Sequence, residues 1–290
     1  MDLKFYESYK LKYYSMKDAK LLALINILKN MESAVLAYSG GVDSTLLLKA
    51  MQLSGIRALA VTGVSETMPE HDFISAKKMA QKTGIEQRVI RTDELRIKNF
   101  MNNPPDRCFF CKNELFGKIK KIARKEGYSF MLDGSNLDDM DDWRPGRKAA
   151  LKHGIRSPLI EAGLNKKEIR NISKKLKLPA WDKPSSPCLA SRFPYREKIT
   201  GKALKQVAKA EKFLKSVGFA EFRVRHHGDV ARIELKGNDF KKLLSSGVRK
   251  TVTEKLKSLG YKFISLDLEG FRSGRMNEGL KKSSRRIRQA

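Results

Sequence analysis

Apolar positions along the first half of the chain alternate between two rhythms. The apolar run Ala34-Val35-Leu36-Ala37-Tyr38 predicts a strand, and 57–62, 86–91 and 129–133 read as further strands. Between them, apolar residues recur every third or fourth position over 17–30, from Ser44 to Ala50, over 69–83 behind Pro69, and from about Asn113 to Lys125, which predicts helices. Strands that alternate with helices at roughly 25 to 35 residues per unit predict an α/β fold with a doubly wound parallel sheet. A further helix leads into His153, and a short basic helix covers 165–177.

The rhythm then changes. Pro179, Pro184 and Pro187 punctuate a linker over 181–199 that carries Cys188. Beyond Thr200 the pattern gives a helix over 201–216 and two strands, 222–226 and 231–235, joined as an antiparallel pair through His227-Gly228. Helices over 238–246 and 249–258 and a last strand over 261–268 complete a second, smaller α+β domain at 200–271. The first domain is expected over 1–180, with a short lead-in over 1–16. A basic tail without apolar periodicity follows over 272–290.

Composition changes this picture in three ways. At 290 residues and 41% hydrophobic, the chain can bury two modest cores. It has no apolar run that would span a bilayer and no signal peptide, so a cytoplasmic protein without membrane contact is expected. Three cysteines do not make a disulfide framework. The net charge of +28 invites a nucleic-acid partner, but solvated lysine-rich faces or attraction of a small anionic substrate account for it equally well. Charge alone therefore leaves nucleic acid an unlikely partner.

The stretch Ser39-Gly40-Gly41-Val42-Asp43-Ser44 joins the first strand to the helix after it. Paired glycines let backbone amides approach an anion, the helix N-terminus adds its positive dipole end, and Ser39 and Ser44 supply hydroxyls. Asp43 or Ser44 is expected near the helix N-cap, and Asp43 is also a candidate for positioning Mg²⁺. The spacing is not that of a Walker A loop, which requires a lysine that is absent here. An ordinary glycine turn would need only the glycine pair. A second polar string, Gly134-Ser135-Asn136-Leu137-Asp138-Asp139 followed by Arg144-Pro145-Gly146, sits at the end of the 129–133 strand, the edge where open α/β sheets bind ligands. Gly134, Asn136 and Asp138 are its candidate nucleotide contacts.

Cys108 and Cys111 form a C-x-x-C delivered by a turn-rich loop to the start of a helix, and Cys188 lies far along the chain. Buried packing, a zinc site lacking its fourth ligand, and a 4Fe-4S cluster on three thiolates are the alternatives. Three thiolates leave one iron open to an exogenous sulfide.

The Ser39–Ser44 motif resembles the PP-loop of ATP pyrophosphatases. With the 134–146 string, Pro187-Cys188-Leu189-Ala190-Ser191-Arg192 and Leu266-Asp267-Leu268-Glu269-Gly270-Phe271, the resemblance over about 17–275 is to the LarE family of ATP-dependent sulfur transferases. It implies an adenine nucleotide α-hydrolase-like fold. It also implies a chemistry in which ATP adenylates the carboxylates of pyridinium-3,5-biscarboxylic acid mononucleotide, and sulfur displaces AMP to give thiocarboxylates for a nickel-pincer cofactor. ATP and Mg²⁺ bind through Ser39, Gly40, Gly41, Asp43 and Ser44, with Asp43 also catalytic. Cys188 is catalytic, either as a sacrificial sulfur donor or, with Cys108 and Cys111, as a ligand of a 4Fe-4S cluster reloaded from a sulfide source; the presence of all three cysteines favours the cluster. Arg192, Arg196, Arg223, Glu211 and Asp239 are candidates for substrate phosphate or metal, Trp143 and Tyr195 for stacking on the pyridinium, and a homo-oligomer is implied.

Two other functions compete. A PP-loop tRNA thiolase also combines this motif with three cysteines and a cluster. A noncatalytic basic nucleic-acid-binding module would keep only a degenerate loop. The 134–146 string argues against the first, and the intact Ser39–Ser44 stretch against the second.

Overall fold

The computed structural model describes residues 18–140, 144–183, 187–272 and 275–277. The expected lead-in over 1–16, Trp143 and most of the basic tail lie outside them. The chain divides into two compact units, one built from 18–100 and 106–183, the other from 101–105 and the residues from Pro187 onward.

In the first unit the order is α1 (Ala19–Lys29), β1 (Ser33–Ala37), α2 (Val42–Ser54), β2 (Arg57–Val64), α3 (Glu70–Thr83), β3 (Glu86–Arg91), α4 (Arg107–Glu126), β4 (Phe130–Leu132), α5 (Gly146–His153) and α6 (Lys166–Lys175). The four strands are parallel in the order β3-β2-β1-β4. β1 is buried at every position because both sheet faces are covered. Ala34 and Leu36 join one core with Leu24 and Leu28 of α1, Leu46 and Leu47 of α2, and Ile169 and Ile172 of α6. Val35 and Ala37 point the other way, into a core with Phe116, Ile119 and Ala123 of α4 and Ala149 of α5. This is the doubly wound α/β arrangement that the alternating rhythm predicts. Strand order reverses between β1 and β4, and a crevice opens there at the strands' C-terminal ends.

Two local expectations need correction. Neither Asp43 nor Ser44 caps α2: Gly41 is the N-cap, and both residues lie in the first turn. Val42 and Leu46 are buried four residues apart, so the apolar stripe starts the helix earlier. Likewise α4 begins at Arg107, not near Asn113. Phe109 packs against the same core as Phe116, two helical turns later, which draws the Cys-x-x-Cys stretch into the helix itself.

The second unit contains α7 (Gly201–Ser216), β5 (Phe222–His227), β6 (Val230–Leu235), a short helix Phe240–Leu244, α8 (Ser246–Ser258) and β7 (Phe263–Leu266). β5 and β6 pair antiparallel, with His227 opposite Val230, and β7 adds parallel to β6. The expected helices at 238–246 and 249–258 are instead divided at Ser245, which is extended. The last strand is shorter than its alternation suggests because Tyr261 turns into the core, where it is 2% exposed. The residues from Pro187 to 199 belong to this unit and do not form a free linker. They are zipped to 101–105: Asn103, fully buried, donates to the carbonyls of Phe193 and Pro194, and the amides of Arg196 and Ile199 donate to the carbonyls of Asn103 and Met101. Among the described residues no helix is long and apolar enough to cross a membrane.

Candidate active site

The glycine turn is fixed from behind. Gly40 adopts φ +72°, and a Cβ there would lie 2.5 Å from that of Ala76 in α3, so no side chain fits. Ser39 and Ser44 hydroxyls lie 3.1 Å apart across the turn, and Ser44 Oγ donates to the Gly41 carbonyl at 3.3 Å. Beneath it, Tyr38 is buried with its hydroxyl 3.4 Å from Thr45, and burial pushes its pKa up to about 12. The floor of the turn is thus apolar and stiff, while its rim presents hydroxyls and the first amides of α2.

Gly134, just beyond β4, closes the other side. A Cβ there would lie 2.9 Å from the Ser44 amide nitrogen. The string after it folds on itself. Asp133 accepts from Ser135 and Ser157, the Asn136 amide donates to Asp139, and the Asp138 amide donates to Asn136 Oδ1. Asn136 is buried and donates through Nδ2 to Asp43 Oδ1 at 3.2 Å. The other Asp43 oxygen pairs with Lys166 Nζ at 2.5 Å. Lys166 is the first residue of α6, held by a capping box in which Asn165 and Glu168 exchange hydrogen bonds. Its backbone amide donates to Asp138 at 2.8 Å.

These elements enclose a cavity of about 350 Å³ lined by Ser39, Asp43, Ser44, Cys108, Lys112, Asp133, Gly134, Ser135, Asp139, Arg144, Arg147 and Lys166, among others. Four cations face three carboxylates. Asp43 is taken by Lys166 and Asp139 by Arg144, at 2.7 Å, while Asp133 is turned to serine hydroxyls. Among the described residues no carboxylate pairs with Lys112 or Arg147, so the cavity holds two uncommitted positive charges beside a helix N-terminus. That is an anion site.

Cys108 and Cys111 lie three residues apart in the first turns of α4, so they share a helix side near its positive end. Cys108 is exposed and lines the cavity. Cys111 donates its S–H to Glu94 Oε1 at 3.5 Å, and Thr92 donates to the same oxygen at 2.9 Å. Glu94 is 3% exposed, and its Oε2 has no hydrogen-bond partner. Among the described residues, no group of three or more His, Cys, Asp or Glu side chains is gathered closely enough to hold a metal ion.

In the second unit, Cys188 precedes a single helical turn, Leu189–Arg192. Arg192 is 2% exposed and makes a two-pronged ion pair with Glu211 at 2.8 and 2.9 Å. Its remaining nitrogen donates to the carbonyls of Pro187 and Cys188 and to Ser191 Oγ. Arg192 and Glu211, expected to receive phosphate or metal, act here as a clamp on the Cys188 turn, with Glu211 also accepting the Val224 amide. Arg223 lies over the Phe271 ring at 4.8 Å, and burial, reinforced by nearby Arg192 and Arg225, lowers its pKa to about 10. Arg225 grips Glu234 with two bonds, and Arg232 and Arg275 pair with Asp267. A second cavity of about 350 Å³ includes Arg192, Tyr195, Arg225, His227, Arg232 and Arg275 in its lining. Asp239 caps no helix with its side chain and does not line this cavity.

The first cavity unites Ser39, Asp43, Ser44, Gly134 and Cys108 from the sequence motifs, with Asn136 supporting Asp43 from behind. Asp138 serves the backbone of Lys166, and its neighbour Asp139 lines the cavity in its place. Sequence reasoning missed Lys112, Arg147 and Lys166, which look like ordinary members of basic helices. It also missed Glu94. Lys166 carried one usable signal: it lies inside the Asn165-x-x-Glu168 box that starts a helix.

No protein-family model matches the chain. It is 40% identical over 268 residues to an uncharacterized protein of Synechocystis, covering 92% of this chain and all of that one. It is 38% identical over 266 residues to the pyridinium-3,5-bisthiocarboxylic acid mononucleotide synthase of Lactiplantibacillus plantarum, covering 91% of this chain and 96% of that enzyme. A probable tRNA sulfurtransferase of Methanothermobacter thermautotrophicus is 25% identical over 154 residues, but this match covers only 49% of the chain and 39% of that protein. The tRNA enzyme therefore shares part of the chain, whereas the mononucleotide synthase shares nearly all of it. With the glycine turn, the anion cavity and the parallel sheet in place, the chain belongs to the LarE family of PP-loop ATP-dependent sulfur transferases.

Proposed function

We propose that this enzyme activates the carboxylates of pyridinium-3,5-biscarboxylic acid mononucleotide with ATP and converts them to thiocarboxylates. The observation that carries this reading is the cavity at the β1–β4 crevice, which combines a phosphate-binding turn, two uncommitted cations and an exposed thiol. A carboxylate oxygen attacks the α-phosphorus of ATP, the bond to the β-phosphate oxygen breaks, and pyrophosphate leaves. Sulfide then attacks the acyl carbon, and the carbon–oxygen bond to AMP breaks. No net oxidation occurs in either step.

The Gly40-Gly41 amides, the Ser39 and Ser44 hydroxyls and the N-terminus of α2 hold the pyrophosphate. Asp43 is the carboxylate that would hold Mg²⁺, which would supply charge neutralisation at the phosphates, and Lys166, paired with Asp43, places a second positive charge beside it. Lys112 and Arg147 receive the phosphate of the mononucleotide. Cys108, Cys111 and Cys188 are the residues that would hold a 4Fe-4S cluster, with Cys108 and Cys111 as soft ligands near the N-terminus of α4. Such a cluster would supply a carrier for sulfide from an external source. A closed homo-oligomer accords with the same reading.

The test is anaerobic purification with iron and sulfide analysis, followed by incubation with ATP, Mg²⁺, sulfide and the mononucleotide. Pyrophosphate release and repeated exchange of carboxylate oxygen for sulfur, with unchanged protein mass, are expected. Loss of one sulfur from Cys188 in a single turnover replaces the cluster by a sacrificial cysteine. Sulfur incorporation into tRNA, with the mononucleotide untouched, overturns the proposal.

A further inference from the structure

The second unit sorts its charges by type. Its inward carboxylates are spent on arginines: Glu211 on Arg192, Glu234 on Arg225, Asp267 on Arg232 and Arg275. The lysines lie outside. α7 carries five lysines and one acid, and that acid is Glu211, which is turned inward. Ala203, Leu204, Val207, Ala210 and Leu214 are buried, and Phe213 packs partly buried against the same core. Lys202, Lys205 and Lys209 are exposed at spacings of three and four, so they stand in one row, which Lys212 extends. Among the described residues no carboxylate pairs with Lys202, Lys205 or Lys209. α8 belongs to the same core and adds exposed Arg249, Lys250, Lys255 and Lys257 against a single Glu254.

We propose that the outer face of α7 binds the phosphate backbone of duplex nucleic acid without regard to sequence, an interaction beyond the sulfur-transfer reaction. At a rise of about 1.5 Å per residue, the row from Lys202 to Lys209 spans roughly 10 Å with an ammonium every ~5 Å. A duplex carries a negative charge about every 1.7 Å along its axis, so each lysine finds a phosphate in any register. A membrane surface fits less well, because the large apolar side chains of α7 are buried or, for Phe213, packed against the core, and none stands in the lysine row to insert. A tight protein interface also fits less well, because lysine is depleted there in favour of arginine and aromatic residues. The row offers point charges on flexible stems and no planar forks, which suits backbone contact and not base reading.

The experiment measures fluorescence anisotropy of a short mixed-sequence DNA duplex with the full chain across a salt series. The triple variant Lys202→Gln, Lys205→Gln, Lys209→Gln is compared with a control neutralising three exposed lysines of unrelated helices, Lys29, Lys82 and Lys152. With a slope of about 0.9 per phosphate contact, the triple variant should flatten log K against log salt by about 2.7. Its affinity loss between about 50 and 200 mM salt should accordingly be roughly 40-fold smaller than that of the parent. The control should keep the parental slope, a scrambled duplex should bind equally well, and both variants should retain the parental melting temperature and sulfur transfer. Absence of saturable binding, equal flattening in both variants, or binding to anionic phosphatidylserine vesicles without duplex binding overturns the proposal.

Discussion

Asp43 and Lys166 are separated by 123 positions in the chain and by 2.5 Å in space. The pair joins the phosphate turn to the start of α6, and Asn136 holds the other Asp43 oxygen. Lys166→Met should lower kcat/KM for ATP-dependent pyrophosphate release by about 10²-fold, the scale of losing one preorganised charge stabiliser. Asp43→Asn should do similar damage, and the double variant should lose less than the product of the two. A pyrophosphate-release assay at varied ATP checks all three.

The approach of Gly134 to α2 leaves no space for a methyl group. Gly134→Ala would place a Cβ 2.9 Å from the Ser44 nitrogen and 3.1 Å from its Cα, and backbone must move. The expected cost is about 1–3 kcal/mol of stability, typical of overpacking. ATP affinity should fall as well, because the displaced atoms belong to the first turn of α2, the proposed phosphate site. Urea unfolding and nucleotide titration separate the two effects.

Arg192 and Glu211 are both largely withdrawn from water, at 2% and 13% side-chain exposure. Arg192→Met leaves the carboxylate without its charge partner and should destabilise the second unit by about 3–5 kcal/mol. The double variant Arg192→Met, Glu211→Gln should recover part of that loss. Both should release the carbonyls of Pro187 and Cys188, so Cys188 should react faster with a thiol reagent in each; equal rates in parent and variants would show that the clamp does not restrain it.

Tyr38 gives stability an alkaline limit. Burial raises its pKa from 10.0 to about 12, so the folded state holds the phenol proton more tightly than the unfolded state does. The resulting stabilisation is complete below pH 10 and is lost as pH rises through about 12. Two pH units correspond to about 3 kcal/mol. Tyr38→Phe should flatten the fall in unfolding free energy between those pH values, apart from a small constant loss of the Thr45 contact, as read by urea midpoints.

The parallel sheet was legible because β1 is a plain apolar run and its neighbours recur at βαβ spacing. The phosphate turn was legible because six positions, Ser39 to Ser44, match the motif between a strand and a helix; the glycine pair alone would read as an ordinary turn. The start of α4 was not, since two prolines and an aspartate just upstream look like a continuing loop, while the deciding contact is Phe109 in a core assembled from distant elements. The cations at the site were hidden for a related reason. Lys112, Arg147 and Lys166 differ from the chain's other basic residues only in where their helices begin and point. The pairing of Arg192 was not legible, because its partner Glu211 lies a helix away and reads as solvated.

Among the described residues, the ion pairs around Glu211, Glu234 and Asp267 are made by arginines. The exposed lysines Lys202, Lys205 and Lys209 of α7 can therefore be gained or lost over generations without disturbing those pairs. The strong positive charge of this unit is free to follow selection on whatever it meets in the cell, while the frame that holds the Cys188 turn stays unchanged.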